Sequence, residues 1–208
     1  NNIDKKLFEI QTKRKFEVAG YLESFRYFEP HMEELHQMFL EAMDQKRKDK
    51  ILQYIKSVKA EWVKKMSNQT FASKVNKALN HTGKKVIKAD DISVIGINVR
   101  RGDKVGKEEF GFCRVTKKYI HRAMEFYRKK VKNPIFLVTS EDMRWCKNEI
   151  KGPDVIHPPH RSVEDHFIMM TCMDHMIMSI GTFGWWGSFF VSMKGGMVVY
   201  QEEQFKPG

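Results

Sequence analysis

Two short stretches of this chain carry residue types suited to holding a phosphorylated ligand. The first is Asn98-Val99-Arg100-Arg101-Gly102-Asp103-Lys104, which follows an apolar run and sets two arginines beside an acid. The rigid fork of an arginine makes paired, charge-assisted hydrogen bonds that match phosphate oxygens. Side chains alternate along a strand, so two consecutive arginines diverge wherever the strand persists. One then reaches a ligand while its neighbour is held by an acid such as Asp103. The competing explanation is a purely structural Arg–Asp pair, and position at a strand end favours the ligand role.

The second stretch is Ser179-Ile180-Gly181-Thr182-Phe183-Gly184-Trp185-Trp186-Gly187, in which a strand passes through glycines into a helix. Free backbone N–H groups and the helix dipole attract phosphate at such a junction, and glycine lets the backbone approach closely. Ser179 and Thr182 add hydroxyl donors, while Trp185 and Trp186 read as packing residues. Alone, this turn is a weak signal; combined with the arginine loop it predicts a two-sided phosphate clamp. A third strand end, Val138-Thr139-Ser140-Glu141-Asp142, is explained without a ligand if Ser140 caps the next helix. The sequence has no Walker run, GxGxxG, HExxH or Asp-x-Asp pair, and Cys113, Cys146 and Cys172 lack zinc spacing. The expectation is therefore no cofactor and no metal, with arginine and backbone dipoles stabilising a phosphate leaving group.

These residues need elements to place them. From about residue 92 the chain alternates short apolar runs with amphipathic segments: strands at 92–99, 135–139, 154–157, 176–180 and 197–200, and helices at 117–131, 142–150, 163–173 and 185–193. Tyr119, Ile120, Ala123, Met124 and Tyr127 share one side of the first of those helices. Strands and helices alternating at this spacing imply βαβ crossovers, hence an α/β fold with a Rossmann-like parallel sheet of about five strands. Ligands bind such sheets at the carboxyl ends of the strands, where both candidate stretches lie. Residues 30–80 read instead as helices, with Met32, Leu35, Met38, Phe39 and Met43 as a core-facing stripe continued by Ile51, Leu52, Ile55 and Val58. The predicted division is a mainly helical segment over 1–91 and a Rossmann-like domain over 92–208.

Composition narrows the classes. With 208 residues, 41% of them hydrophobic, the chain can bury a core and is too apolar for disorder. Its net charge of +11 is divided about evenly along the chain and forms no basic arm, which argues against nucleic acid as a partner. No run approaches the roughly 18 to 20 apolar residues of a membrane span, so any membrane anchor is expected outside this chain. Two glycosylation triplets, Asn68-Gln69-Thr70 and Asn80-His81-Thr82, are compatible with a lumenal protein.

The same stretches resemble the inverting fucosyltransferases, most closely the alpha-1,2-fucosyltransferase family. Four segments carry the resemblance: the run Gly20-Tyr21-Leu22-Glu23-Ser24-Phe25-Arg26-Tyr27-Phe28; Gly96-Ile97-Asn98-Val99-Arg100-Arg101-Gly102-Asp103; Phe136-Leu137-Val138-Thr139-Ser140 with Trp145-Cys146; and the run from His175 through Gly181-Thr182-Phe183-Gly184 to Trp186. The second and fourth are the specific ones. The resemblance implies the GDP-sugar-binding half of a two-domain GT-B glycosyltransferase that moves L-fucose from GDP-β-L-fucose to a galactoside hydroxyl. It also implies inversion, no metal, a Golgi lumen location in a type II membrane glycoprotein, and a glycan acceptor.

On that reading Arg100 contacts the donor's β-phosphate and is the catalytic candidate, with Asn98, Arg101, Asp103, Ser179, Thr182 and Gly184 around the nucleotide. The resemblance also leaves a Cys146–Cys172 disulfide open. The chain departs from the family pattern in carrying Asn98 where histidine is usual and in lacking the family's amino-terminal Gly-x-x-Gly-Asn-Gln segment. Those departures keep an inactive, donor-binding homologue as the alternative. Asp103, Glu109 and His175 are conceivable bases, and none is singled out by position.

Overall fold

In the computed structural model, residues 29–79, 88–101, 115–159 and 162–201 are described. Asp103, Glu109, Cys113, the Asn80 triplet and the motif at 20–28 lie outside them. The chain divides into two units, the first ending at Ala42 and the second beginning at Met43. In the first, a short 3-10 turn, Glu29–His31, leads into helix α1, Met32–Ala42. Contrary to the expected core-facing stripe, α1 buries none of its residues, and Met38 is 58% exposed. An apolar stripe states what a helix can bury; burial itself requires a second layer over it.

The second unit is an α/β sandwich. Helices α2, Gln45–Ser67, and α3, Gln69–Ala78, precede strand β1, Ser93–Val99. There follow α4, Lys117–Lys130; β2, Pro134–Ser140; α5, Met143–Glu149; β3, Val155–Ile156; α6, Val163–Thr171; β4, His175–Met178; α7, Thr182–Met193; and β5, Val198–Tyr200. All five strands are parallel, in the order β3-β2-β1-β4-β5. The expected α/β architecture and strand number are thus observed. The chain winds outward from β1 through β2 to β3, then returns past β1 to lay down β4 and β5. Its winding direction reverses between β1 and β4.

Strand alternation sorts the core into two faces. Val94, Ile135, Leu137 and Met176 pack with Ile51, Ile55, Val58 and Trp62 of α2 and with Ile168, Met169 and Met170 of α6. Ile95, Ile97, Val99, Phe136, Val138 and Ile177 pack on the other side with Ile120, Met124 and Tyr127 of α4 and Cys146 of α5. Near-continuous apolar strands are what a sheet covered on both faces requires. Helices α2 and α3, placed by sequence in the segment 1–91, share the sheet's core within the second unit.

Cys146 and Cys172 are both free thiols, and they belong to opposite faces of the sheet, so the disulfide left open above does not form. Burial pushes the Cys146 thiol up to about 11, despite a hydrogen bond from Ser140 that works the other way. A buried ion pair ties α4 to the strand layer. Both Asp154 oxygens accept from Arg128, at 2.8 and 2.7 Å, with Asp154 fully buried. No helix among the described residues is long and apolar enough to cross a membrane.

Candidate functional site

Register brings the two predicted stretches side by side. Asn98 of β1 pairs with Met178 of β4 and, on its other side, with Thr139 of β2. Just past the ladder, the Arg100 N–H donates to Ser179 Oγ at 2.8 Å, and Ser179 N donates back to Asn98 O at 3.0 Å. Ser179 is fully buried, so its hydroxyl fastens the arginine loop to the end of β4 from below. The junction stands where the winding reverses, the position at which an open α/β sheet leaves a crevice for ligand.

The two arginines diverge as alternation requires. Arg100 projects to the α7 side, where its Cγ lies 3.8 Å from the position a Cβ on Gly181 would take. Arg101 turns to the α5 side. Its Nε meets Asp142 Oδ2 at 3.3 Å, its guanidinium lies 4.2 Å over the Trp145 ring, and its side chain is 11% exposed. The Arg101 N–H also donates to Glu141 Oε1 at 2.6 Å. The same Glu141 oxygen stands 3.9 Å from Arg100 Nε, with those two side chains 39% and 35% exposed. At that distance and exposure this ion pair contributes little to stability.

Helix α7 begins at Thr182, three residues before the expected start, and this changes the site. Gly181 is its N-cap, at φ 95°, a left-handed conformation that favours glycine, and no side chain caps the helix. The first backbone bond inside the helix runs from Trp185 N to Gly181 O, at 3.2 Å. Thr182, Phe183 and Gly184 therefore present first-turn N–H groups toward the Arg100 side. Thr182 is exposed and Gly184 buried. A Cβ on Gly184 would stand 2.5 Å from Asn98 Oδ1, so glycine there makes room for Asn98. Asn98 is 5% exposed and its Nδ2 donates to Thr139 Oγ1 at 3.3 Å.

Trp185 and Trp186 pack with Phe189, Trp185 stacking on it at 5.7 Å, as expected for packing residues. His175 lies at the start of β4, the opposite end of the sheet from Arg100, and its Nδ1 accepts from Met197 N at 2.9 Å. It is therefore removed from the candidate bases for this site.

Sequence reasoning missed the support around Arg101. Ser140 was expected to cap α5, but Asp142 does so, its Oδ1 accepting from Trp145 N at 3.0 Å, while Ser140 Oγ accepts from Asp142 N at 2.9 Å. The helix starts at Met143, which leaves Asp142 in the capping position. The available signal was adjacency: strands joined by a crossover helix end beside each other, so the acids closing β2 had to face the arginines closing β1.

The model of Glycosyl transferase family 11 matches residues 68–206. The chain is 35% identical to Galactoside alpha-(1,2)-fucosyltransferase 1 of Rattus norvegicus over 113 residues, which is 51% of this chain and 29% of that protein. It is 34% identical to the Bos taurus protein of the same name over 113 residues, 51% of this chain and 31% of the relative. Against Galactoside 2-alpha-L-fucosyltransferase SEC1 of Bos taurus it is 30% identical over 121 residues, 55% of this chain and 32% of the relative. The matched region thus spans less than a third of the length of these curated relatives.

Proposed function

Since this chain belongs to glycosyl transferase family 11, we propose that it is the donor-binding part of an inverting fucosyltransferase acting in the Golgi lumen, with GDP-β-L-fucose as donor and a galactoside hydroxyl as acceptor. The observation that carries the reading is that Arg100 stands beside Gly181, its Cγ 3.8 Å from where a Cβ on that glycine would lie, at the point where the sheet's winding reverses. An arginine and an uncapped helix start facing one crevice suit a diphosphate. The relatives' names supply the sugar and the linkage.

In the proposed step the acceptor oxygen attacks C1 of fucose from the face opposite the nucleotide. The C1–O bond to the β-phosphate breaks and its electron pair stays on the phosphate oxygen. The acceptor proton passes to a base that is not assigned. Charge grows on the leaving phosphate as it grows, with opposite sign, on the sugar ring. Arg100 and the first-turn N–H groups of α7 are fixed beforehand, and donors already oriented toward developing charge lower the barrier without reorganising. No divalent ion is required by this scheme, in keeping with the lack of an Asp-x-Asp pair.

Asn98 favours a second reading. An amide cannot exchange a proton where family members usually carry histidine, so a protein that binds GDP-fucose without transferring it is the alternative. The test is transfer of labelled fucose from GDP-fucose to a galactoside by the intact protein, with a chelator present. Product in the wild type and its loss in Arg100→Ala support the transferase. GDP binding without product supports the inactive homologue, and absence of both contradicts the donor site.

A further inference from the structure

A single residue, Asn68, joins α2 to α3, and it opens the triplet Asn68-Gln69-Thr70, all three residues of which are exposed. Asn-x-Thr with a non-proline middle residue is the acceptor pattern for N-linked glycans. Asn68 also caps α3, its Oδ1 accepting from Phe71 N at 3.0 Å. A glycan would use the other atom of the amide. Nδ2 has no hydrogen-bond partner among the described residues, so glycosylation there leaves the cap intact.

Placement agrees with that chemistry. Helix α2 starts beside the amino-terminal end of α6, where Arg47 pairs with Asp165 at 3.1 Å, on the side of the sheet where strands end. Further along, Lys59 stands 3.8 Å from Asp174, which precedes β4. Asn68 lies a further ~13 Å along the chain at the helical rise of 1.5 Å per residue. It therefore sits beyond the end of the sheet opposite Arg100, where a bulky glycan leaves the donor crevice open.

We propose that Asn68 is an N-glycosylation site of this protein. In the balanced step Nδ2 attacks the anomeric carbon of a lipid-linked oligosaccharide diphosphate. The C1–N bond forms, the C1–O bond to the diphosphate breaks with its electron pair leaving on the lipid diphosphate, and the one proton lost from Nδ2 passes to solvent. The inference rests on the lumenal location proposed above, because that donor is met in the lumen.

The intact protein expressed in cells with a secretory pathway provides the test, by mass spectrometry of the Asn68 peptide and by gel mobility. Wild type and Thr70→Ser are expected to carry a glycan on Asn68. Thr70→Ala and Asn68→Asp are expected to lose one glycan-sized step. Asn68→Asp retains a cap of equal quality and therefore a cooperative thermal transition, which separates loss of the glycan from loss of the fold. A protein protected inside the lumen with its Asn68 peptide bare overturns this inference alone. A protein found outside the lumen overturns the lumenal reading with it.

Discussion

The guanidinium of Arg101 lies 4.2 Å over the Trp145 ring while the preceding residue, Arg100, stands beside Gly181 on the opposite face of the sheet. Two adjacent arginines thus face opposite ways: Arg101 anchors the loop to α5, and Arg100 stands on the α7 side, where the proposed donor site lies. Trp145→Ala removes one of the two side-chain contacts of that anchor and leaves the surroundings of Arg100 unchanged. A cation–π contact of this kind contributes about 0.5–2 kcal/mol. The expected result is a several-fold weaker GDP affinity in a protein that still folds, measured by calorimetry beside a thermal melt. Unchanged affinity would show that Asp142 alone suffices to hold Arg101.

Gly184 tests the α7 side of the proposed donor site. A methyl group at this position meets Asn98 Oδ1 at 2.5 Å, so Asn98 or the first turn of α7 must move. Overpacking of this sort costs about 1–3 kcal/mol. Gly184→Ala should lower the unfolding midpoint and weaken GDP binding together, and chemical-shift changes should centre on Asn98 and Thr139. An effect confined to stability would place Asn98 outside the donor site.

Asp154 is fully buried and held by two short bonds to Arg128, whose charge is favoured by Asp154 and Glu125 against the opposing effect of burial. Removing the carboxylate breaks a buried pair and leaves Arg128 with the more exposed Glu125 at 2.6 Å; breaking a buried pair typically costs about 3–5 kcal/mol, and the Glu125 contact puts this case toward the lower end. Asp154→Ala should show that loss in denaturant unfolding. GDP affinity of the folded fraction should stay as in the wild type, since the pair lies away from the ends of β1 and β4.

His175 makes stability depend on pH. Burial lowers its pKa, outweighing the pull of the neighbouring Asp174, and Nδ1 must stay unprotonated to accept from Met197 N. The unfolded chain therefore takes up a proton first as pH falls. Stability is full above the ordinary imidazole value of about 6.5 and declines below it, toward the lower folded value. His157, also lowered by burial, contributes in the same direction. Denaturant midpoints should drop between about pH 7.5 and about pH 5.5, and His175→Asn, which retains an acceptor, should flatten the drop. A midpoint that rises on acidification would contradict this.

Strands and crossover helices were legible in the sequence because apolar runs long enough to be covered on both faces alternate with helical patterns, as Ser93–Val99 and Lys117–Lys130 do. Divergence of Arg100 and Arg101 was legible for the same reason, since alternation is local geometry. Partner identity was not. Asp142 is the acid seen on Arg101, and it is distant in sequence, reached only through the pairing of β1 with β2. The passage through glycines into a helix was legible, but its start was placed at Trp185 rather than Thr182, because a glycine cap such as Gly181 has no side-chain signature. The stripe of α1 was legible as amphipathic, but periodicity carries no information on whether another layer covers it.

The proposed donor site rests on Arg100 as a diphosphate ligand. Calorimetric titration of GDP into the intact protein and into Arg100→Ala measures this directly. Charge-assisted hydrogen bonds contribute about 1.5–3 kcal/mol, so the variant should bind roughly 10- to 100-fold more weakly while melting like the wild type. Equal affinity in the two proteins would contradict the assignment.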